Sequence, residues 1–129
     1  MLKVKDRMAR SLKTLAPEAM ASDVAKIFAD SKIGSIFIKR DGDVVGVITE
    51  NDLVRKVMAK GKSPDGVTAE SIMSTSLVTI DLGKPLTEAG DLMDHKSVRH
   101  LAVTEGGKIV GVISVRDLIH PVYTDGEGW

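Results

Sequence analysis

Apolar and polar positions along the chain switch between a helical and an extended rhythm, and they do so twice in the same order. Val24, Ile27 and Phe28 recur at helical spacing, as do Ala89, Leu92 and Met93 further on. Each run is preceded by a hydroxyl and an acid, Ser22-Asp23 and Thr87-Glu88, which predicts a capping oxygen followed by a first-turn carboxylate. Short extended segments, Thr14-Leu15 and Thr79-Ile80, come before these helices. After them the pattern becomes strand-like over Ser35–Lys39 and Asp43–Thr49, around Asp41-Gly42. It does so again over Leu101–Thr104 and Lys108–Ser114, around Gly106-Gly107. Both read as β-hairpins, and a further helix is predicted to start near Thr49 and near Ser114.

The predicted unit is therefore β-α-β-β-α, written twice. A shift of 65 residues aligns 4–54 with 69–119 without a gap, and 11 of the 51 pairs are identical. The identities cluster in Val45–Ile48 and Val110–Ile113 and also include Met8/Met73, Asp52/Asp117 and Leu53/Leu118. Two copies are too few for a solenoid, so a closed pair with pseudo-twofold symmetry is expected, an α/β (α+β) module. Residues 1–60 form repeat 1, 61–68 a linker rich in turn formers, 69–121 repeat 2, and 122–129 a tail expected to fray. Pro121 is expected to end the last helix.

Composition narrows the classes. A length of 129 residues with 43% hydrophobic content suits one ordinary domain. No apolar run approaches the roughly 20 residues that span a bilayer, and the opening lacks a secretory signal, so a cytoplasmic protein without a membrane role is expected. The absence of cysteine removes disulfides, thiolate metal sites and cysteine nucleophiles. Zero formal net charge and 3% aromatic content argue against nucleic-acid binding. His95 and His120 have no partners at ligand spacing, so no metal site is expected.

The best-kept stretch of each copy is a strand end running into a helix start: Gly46-Val47-Ile48-Thr49-Glu50-Asn51-Asp52 and Gly111-Val112-Ile113-Ser114-Val115-Arg116-Asp117. A helix start offers unpaired N–H groups to an anion. Thr49 and Ser114 add a hydroxyl, and Asp52 and Asp117 add a carboxylate able to accept bonds from two vicinal hydroxyls, such as those of a ribose. The same spacing is also that of a capping box, which needs no ligand. The residues alone leave both readings open.

The whole pattern over residues 4–119 resembles a tandem pair of cystathionine-β-synthase (CBS) domains, a Bateman module. The resemblance rests on Gly46–Asp52 and Gly111–Asp117, the hairpins before them, the Met8 and Met73 openings, and Ile33–Ile38 with Val98–Val103. It implies a regulatory module that binds an adenosine-containing ligand in two clefts. By position it assigns the ribose to Asp52 and Asp117, the ribose or phosphate to Thr49 and Ser114, and the adenine slot to Val47 and Val112. Each cleft is expected to be completed by the other repeat. One combines Val47, Thr49 and Asp52 with Val98, Arg99, His100 and Arg116. The other combines Val112, Ser114 and Asp117 with Ile33, Gly34, Ser35 and Asn51. The first is then cationic and suited to a nucleotide phosphate.

AMP, ADP or ATP is the leading ligand class, serving as a regulatory ligand with no cofactor required. S-adenosylmethionine or an NAD-type molecule is the alternative, as is a ligand-independent scaffold. The resemblance also implies a homodimer, and output through an unidentified protein partner or through the oligomer itself. Catalysis is not expected: the chain carries no nucleophile elbow, Walker A loop or metal quartet. Lys13, Arg55, Lys56, Lys60 and Lys62 are expected on solvated faces, the six methionines in the core, and Trp129 either unpacked or at an oligomer contact.

Overall fold

A computed structural model describes residues 1–119; the expectations for His120, Pro121, the 122–129 tail and Trp129 lie outside the described residues. The fold is mixed α and β, with two three-stranded sheets in two compact units. The first unit is Lys13–Ser76. It holds β1 (Thr14–Leu15), α1 (Ala21–Asp30), β2 (Ser35–Arg40), β3 (Asp43–Thr49), α2 (Glu50–Leu53) and α3 (Ala69–Ile72). The second unit joins Met1–Leu12 to the residues from Leu77 onward, with β4 (Thr79–Asp81), α4 (Leu86–Lys96), β5 (His100–Glu105), β6 (Lys108–Ser114) and α5 (Val115–Ile119).

Each sheet has the same construction. The short first strand pairs parallel with the second, and the second pairs antiparallel with the third through a two-residue turn. Asp41 and Gly42 have φ of 53° and 84°, and Gly106 and Gly107 have 59° and 83°. Two consecutive positive φ values match the right-handed twist of the flanking strands, which is why Asp-Gly and Gly-Gly stand there. Both hairpins carry a bulge at the equivalent place, between Ile38 and Lys39 and between Val103 and Thr104. The core face of the first sheet carries Ile36, Ile38 and Ile48, packed with Ala21, Val24, Val57 and Ile72. The second core gathers Leu101, Val103 and Ile113 with Val4, Ile80, Ala89 and Met93.

Some sequence expectations change: Met1 and Met58, expected in the core, are 99% and 67% exposed. Helices α1 and α4 start two residues early, at Ala21 and Leu86, after Met20 and Pro85. Ser22 and Thr87 are therefore inside the helices and cap nothing. In α1 the acid is the working part: Asp23 Oδ2 accepts the Met20 N–H at 3.0 Å. Residues 61–68 pack onto the first unit. Val67 joins the first core, and its carbonyl accepts the Ala21 N–H at 2.8 Å. Lys56, whose side chain is 41% exposed, also bonds two groups of the first unit, as set out below.

The units also do not follow the repeats. The opening of each copy closes the strand of the other. Val47 and Ser74 exchange two backbone hydrogen bonds of 3.0 and 2.9 Å, and Ala9 and Val112 exchange two of 2.9 and 3.0 Å. Met73 then lies over Gly46, and Met8 over Gly111. A Cβ on Gly46 would fall 2.4 Å from Met73 Sδ; one on Gly111 would fall 2.3 Å from the Ala9 carbonyl oxygen. The paired glycines and paired methionines of the sequence are thus one contact, made twice.

Candidate functional site

Side chains alternate along a strand, so residues directly paired across a hairpin share a face. In the first unit Ser35 pairs with Thr49 and Phe37 with Val47. These four lie on the face opposite Ile36, Ile38 and Ile48. In the second unit His100 pairs with Ser114 and Ala102 with Val112. Within each unit the register thus sets side by side residues that the expectation had divided between the two clefts, Ser35 with Thr49 and His100 with Ser114. The backbone of Val47 and Val112 is taken up by the exchanged segments, so only their side chains are left to meet a ligand.

The strand–helix junction completes each half-site. Asp52 Oδ2 accepts the Thr49 N–H at 2.8 Å and lies 3.4 Å from Thr49 Oγ1. Asp117 Oδ2 accepts the Ser114 N–H at 2.7 Å and lies 3.2 Å from Ser114 Oγ. The acid reaching back to the residue before the helix is half of a capping box. It fixes the carboxylate at the rim of the face with one oxygen turned inward. Capping engages the same oxygen, Oδ2, in both copies.

The neighbours of the junctions differ. In the first unit the Lys56 Nζ is 3.0 Å from Asp52 Oδ1 and donates to the Ile72 carbonyl at 2.8 Å. Lys56 lies in a turn of π-helix, Val54–Met58, that continues α2. The position four beyond Asp117 is Pro121. In the second unit the neighbours come from the start of β5: the Arg99 carbonyl accepts the Val115 N–H at 3.0 Å, and His100 is the first residue of the strand. Burial pushes the His100 pKa down, and the Arg99 charge pushes it further the same way.

Val47, Thr49 and Asp52 belong to the first unit, and Val98, Arg99, His100 and Arg116 to the second. Ile33, Gly34, Ser35 and Asn51 belong to the first unit, and Val112, Ser114 and Asp117 to the second. Inside the units, register sets Ser35 beside Thr49 and His100 beside Ser114. Asn51, Arg99 and Arg116 are exposed, while Ile33 and Gly34 are half-buried. Two relevant residues escaped the sequence reading. Lys56 carries the i, i+4 spacing to Asp52 that marks a helical ion pair. Phe37 is buried on the site face at 2% exposure, where the second copy has Ala102, and strand alternation from Ser35 points to it.

Among the described residues, no group of three or more His, Asp or Glu is placed to hold a metal, and no helix is long and apolar enough to cross a membrane. A sequence profile of the CBS domain matches residues 4–59 and again 69–123. An uncharacterized protein of Methanopyrus kandleri is 36% identical over 112 residues, which cover 85% of this chain and 57% of that protein. This chain therefore spans little more than half of that relative. A solved structure of a protein with CBS domains from Burkholderia ambifaria superposes with a TM-score of 0.83 at 30% identity, covering 93% of this chain and 88% of the other. A hexameric CBS-CP12 protein from bloom-forming cyanobacteria gives 0.82 at 25% identity, over 92% and 70%.

Proposed function

This chain belongs to the CBS-domain family, as a tandem pair, and from that membership we propose that it is a regulatory module that binds an adenosine nucleotide, AMP, ADP or ATP. The observation that carries the reading is the duplicated junction. Thr49 with Asp52, and Ser114 with Asp117, set a hydroxyl and an oriented carboxylate at the rim of a sheet face that also bears Val47 or Val112. An apolar patch beside a diol acceptor suits a base joined to a ribose. The module acts without catalysis and without a cofactor, in the cytoplasm, and passes occupancy to a protein partner or to its own assembly.

Phosphate preference depends on which carboxylate has Arg99 and His100 for neighbours. The family resemblance gives them to Asp52 across the repeats. The register inside the second unit stands His100 opposite Ser114, the residue bonded to Asp117. We carry the second arrangement forward and assign the tighter nucleotide site to Asp117. Calorimetric titration with AMP on the wild-type protein, Asp52→Asn and Asp117→Asn tests it. The tighter site should disappear in Asp117→Asn; its loss only in Asp52→Asn restores the crossed pairing. No binding heat for AMP, ADP or ATP sinks the nucleotide reading.

A scaffold reading is favoured by one observation. Val54 and Met58 are 57% and 67% exposed, and Val115 and Ile119 are 42% and 59% exposed. Each is an apolar pair at i, i+4 on one helical face, which suits self-association. The relative from cyanobacteria is hexameric. The two readings are compatible when a ligand binds one assembly state better than another.

A further inference from the structure

The exchanged segment Ile72–Ser74 and the candidate carboxylate Asp52 share a single ammonium group. Lys56 Nζ stands 3.0 Å from Asp52 Oδ1 and 2.8 Å from the carbonyl of Ile72. Ile72 ends α3; Met73 follows, packed over Gly46, and then Ser74, which holds both backbone bonds to Val47. Two residues later the chain leaves the first unit for the second.

A carboxylate has about four acceptor positions. Asp52 has committed Oδ2 to the amide and hydroxyl of Thr49 and part of Oδ1 to Lys56. A vicinal diol brings two donors to a group with about one position left. Its binding draws on the share that Lys56 holds. We propose that Lys56 couples occupation of Asp52 to the exchanged segment, so that a ligand on Asp52 loosens Ile72–Ser74. Lys56 is a positioning residue in this device. The second copy has Pro121 at the matching position, so this lysine has no counterpart there. The coupling rests on the reading of Asp52 as a ribose acceptor. Linkage makes it reciprocal: whatever pulls on Ile72–Ser74 changes affinity at Asp52 by the same factor.

Hydrogen exchange at the Val47 and Ser74 amides, with and without saturating AMP, tests the proposal alongside AMP calorimetry. In the wild-type protein AMP should speed exchange at both amides by about tenfold, the scale of one charge-assisted hydrogen bond. In Lys56→Met both amides should exchange faster without ligand and show no response to AMP, while Lys56→Arg restores the response. AMP heat in Asp117→Asn, where Asp52 is the remaining site, with unchanged exchange at both amides overturns the coupling alone, as does a full response in Lys56→Met. Absence of AMP heat overturns the nucleotide reading, and the coupling with it.

Discussion

Adding one methyl group at each of the two paired glycines should have very different effects. At Gly111 the new Cβ would sit 2.3 Å from the Ala9 carbonyl oxygen and 2.4 Å from Met8 Cε. A relaxed carbon–oxygen contact is about 3.3 Å, so the carbonyl must retreat by about 1 Å. That carbonyl accepts the Val112 N–H at 3.0 Å, and Ala9 N–H donates back at 2.9 Å. A shift of that size breaks the exchange. Two backbone bonds at about 0.5–1.5 kcal/mol each, plus overpacking of about 1–3 kcal/mol, are offset by about 0.4–1 kcal/mol from a stiffer unfolded chain. The net loss for Gly111→Ala is about 3 kcal/mol on those terms.

At Gly46 the obstacles are Met73 Sδ at 2.4 Å, Cγ at 2.7 Å and Cβ at 3.0 Å, all on a flexible side chain. Gly46→Ala should then cost only about 1 kcal/mol, and Met73→Ala in the same chain should relieve the strain. Met8→Ala should do little for Gly111→Ala, because the Ala9 carbonyl remains. Urea unfolding of the two single and two double variants measures this directly. The gap corresponds to on the order of 10 °C in Tm. Equal losses for the two glycine variants, or recovery of Gly111→Ala by Met8→Ala, would refute the account of why these glycines are paired with methionines.

Other expectations follow from the same structure. The His100 pKa is lowered in the folded protein, so on acidification the unfolded chain takes up the proton first. Stability from neutral His100 is full above about pH 6.5 and falls as pH drops below it; His100→Gln should flatten that slope, and identical slopes would remove the effect. If AMP phosphate meets Arg99 and His100, AMP affinity should rise as pH falls through the same window, and a flat profile would count against that contact. Met58→Glu, at a position 67% exposed, should leave the monomer's stability within about 0.5 kcal/mol and lower any self-association seen by sedimentation. Arg40 and Glu70 form an ion pair with side chains 44% and 53% exposed, so Arg40→Ala should cost under about 1 kcal/mol in a urea titration.

The repeat, the hairpins and their turns were legible because they depend on local rules: strand alternation, and residues able to take two positive φ values. The identities at Gly46/Gly111 and Met8/Met73 were visible, but their cause was not. Each glycine touches a methionine from the other copy, and no local pattern reports a partner so distant in sequence. The helix starts were misread for a related reason. Ser22 and Thr87 have the right chemistry for a cap, yet the Met20 amide is satisfied from inside the helix by Asp23. Lys56 was readable as an i, i+4 partner of Asp52; its second bond, to the Ile72 carbonyl, depends on where α3 docks. Which of the candidate residues share a face within each unit was not legible, because that depends on the strand register.

The exchange of opening segments also bears on how such a chain could arise. A protein with a single repeat has an opening and a strand edge but cannot join them in the way seen here, since each opening closes the other copy's edge. Two separate single-repeat chains could make every one of these bonds by trading openings. Joining their genes end to end would then keep the contacts already selected and remove only the dependence on concentration. A cut between the repeats should therefore leave two halves of which neither folds fully without the other.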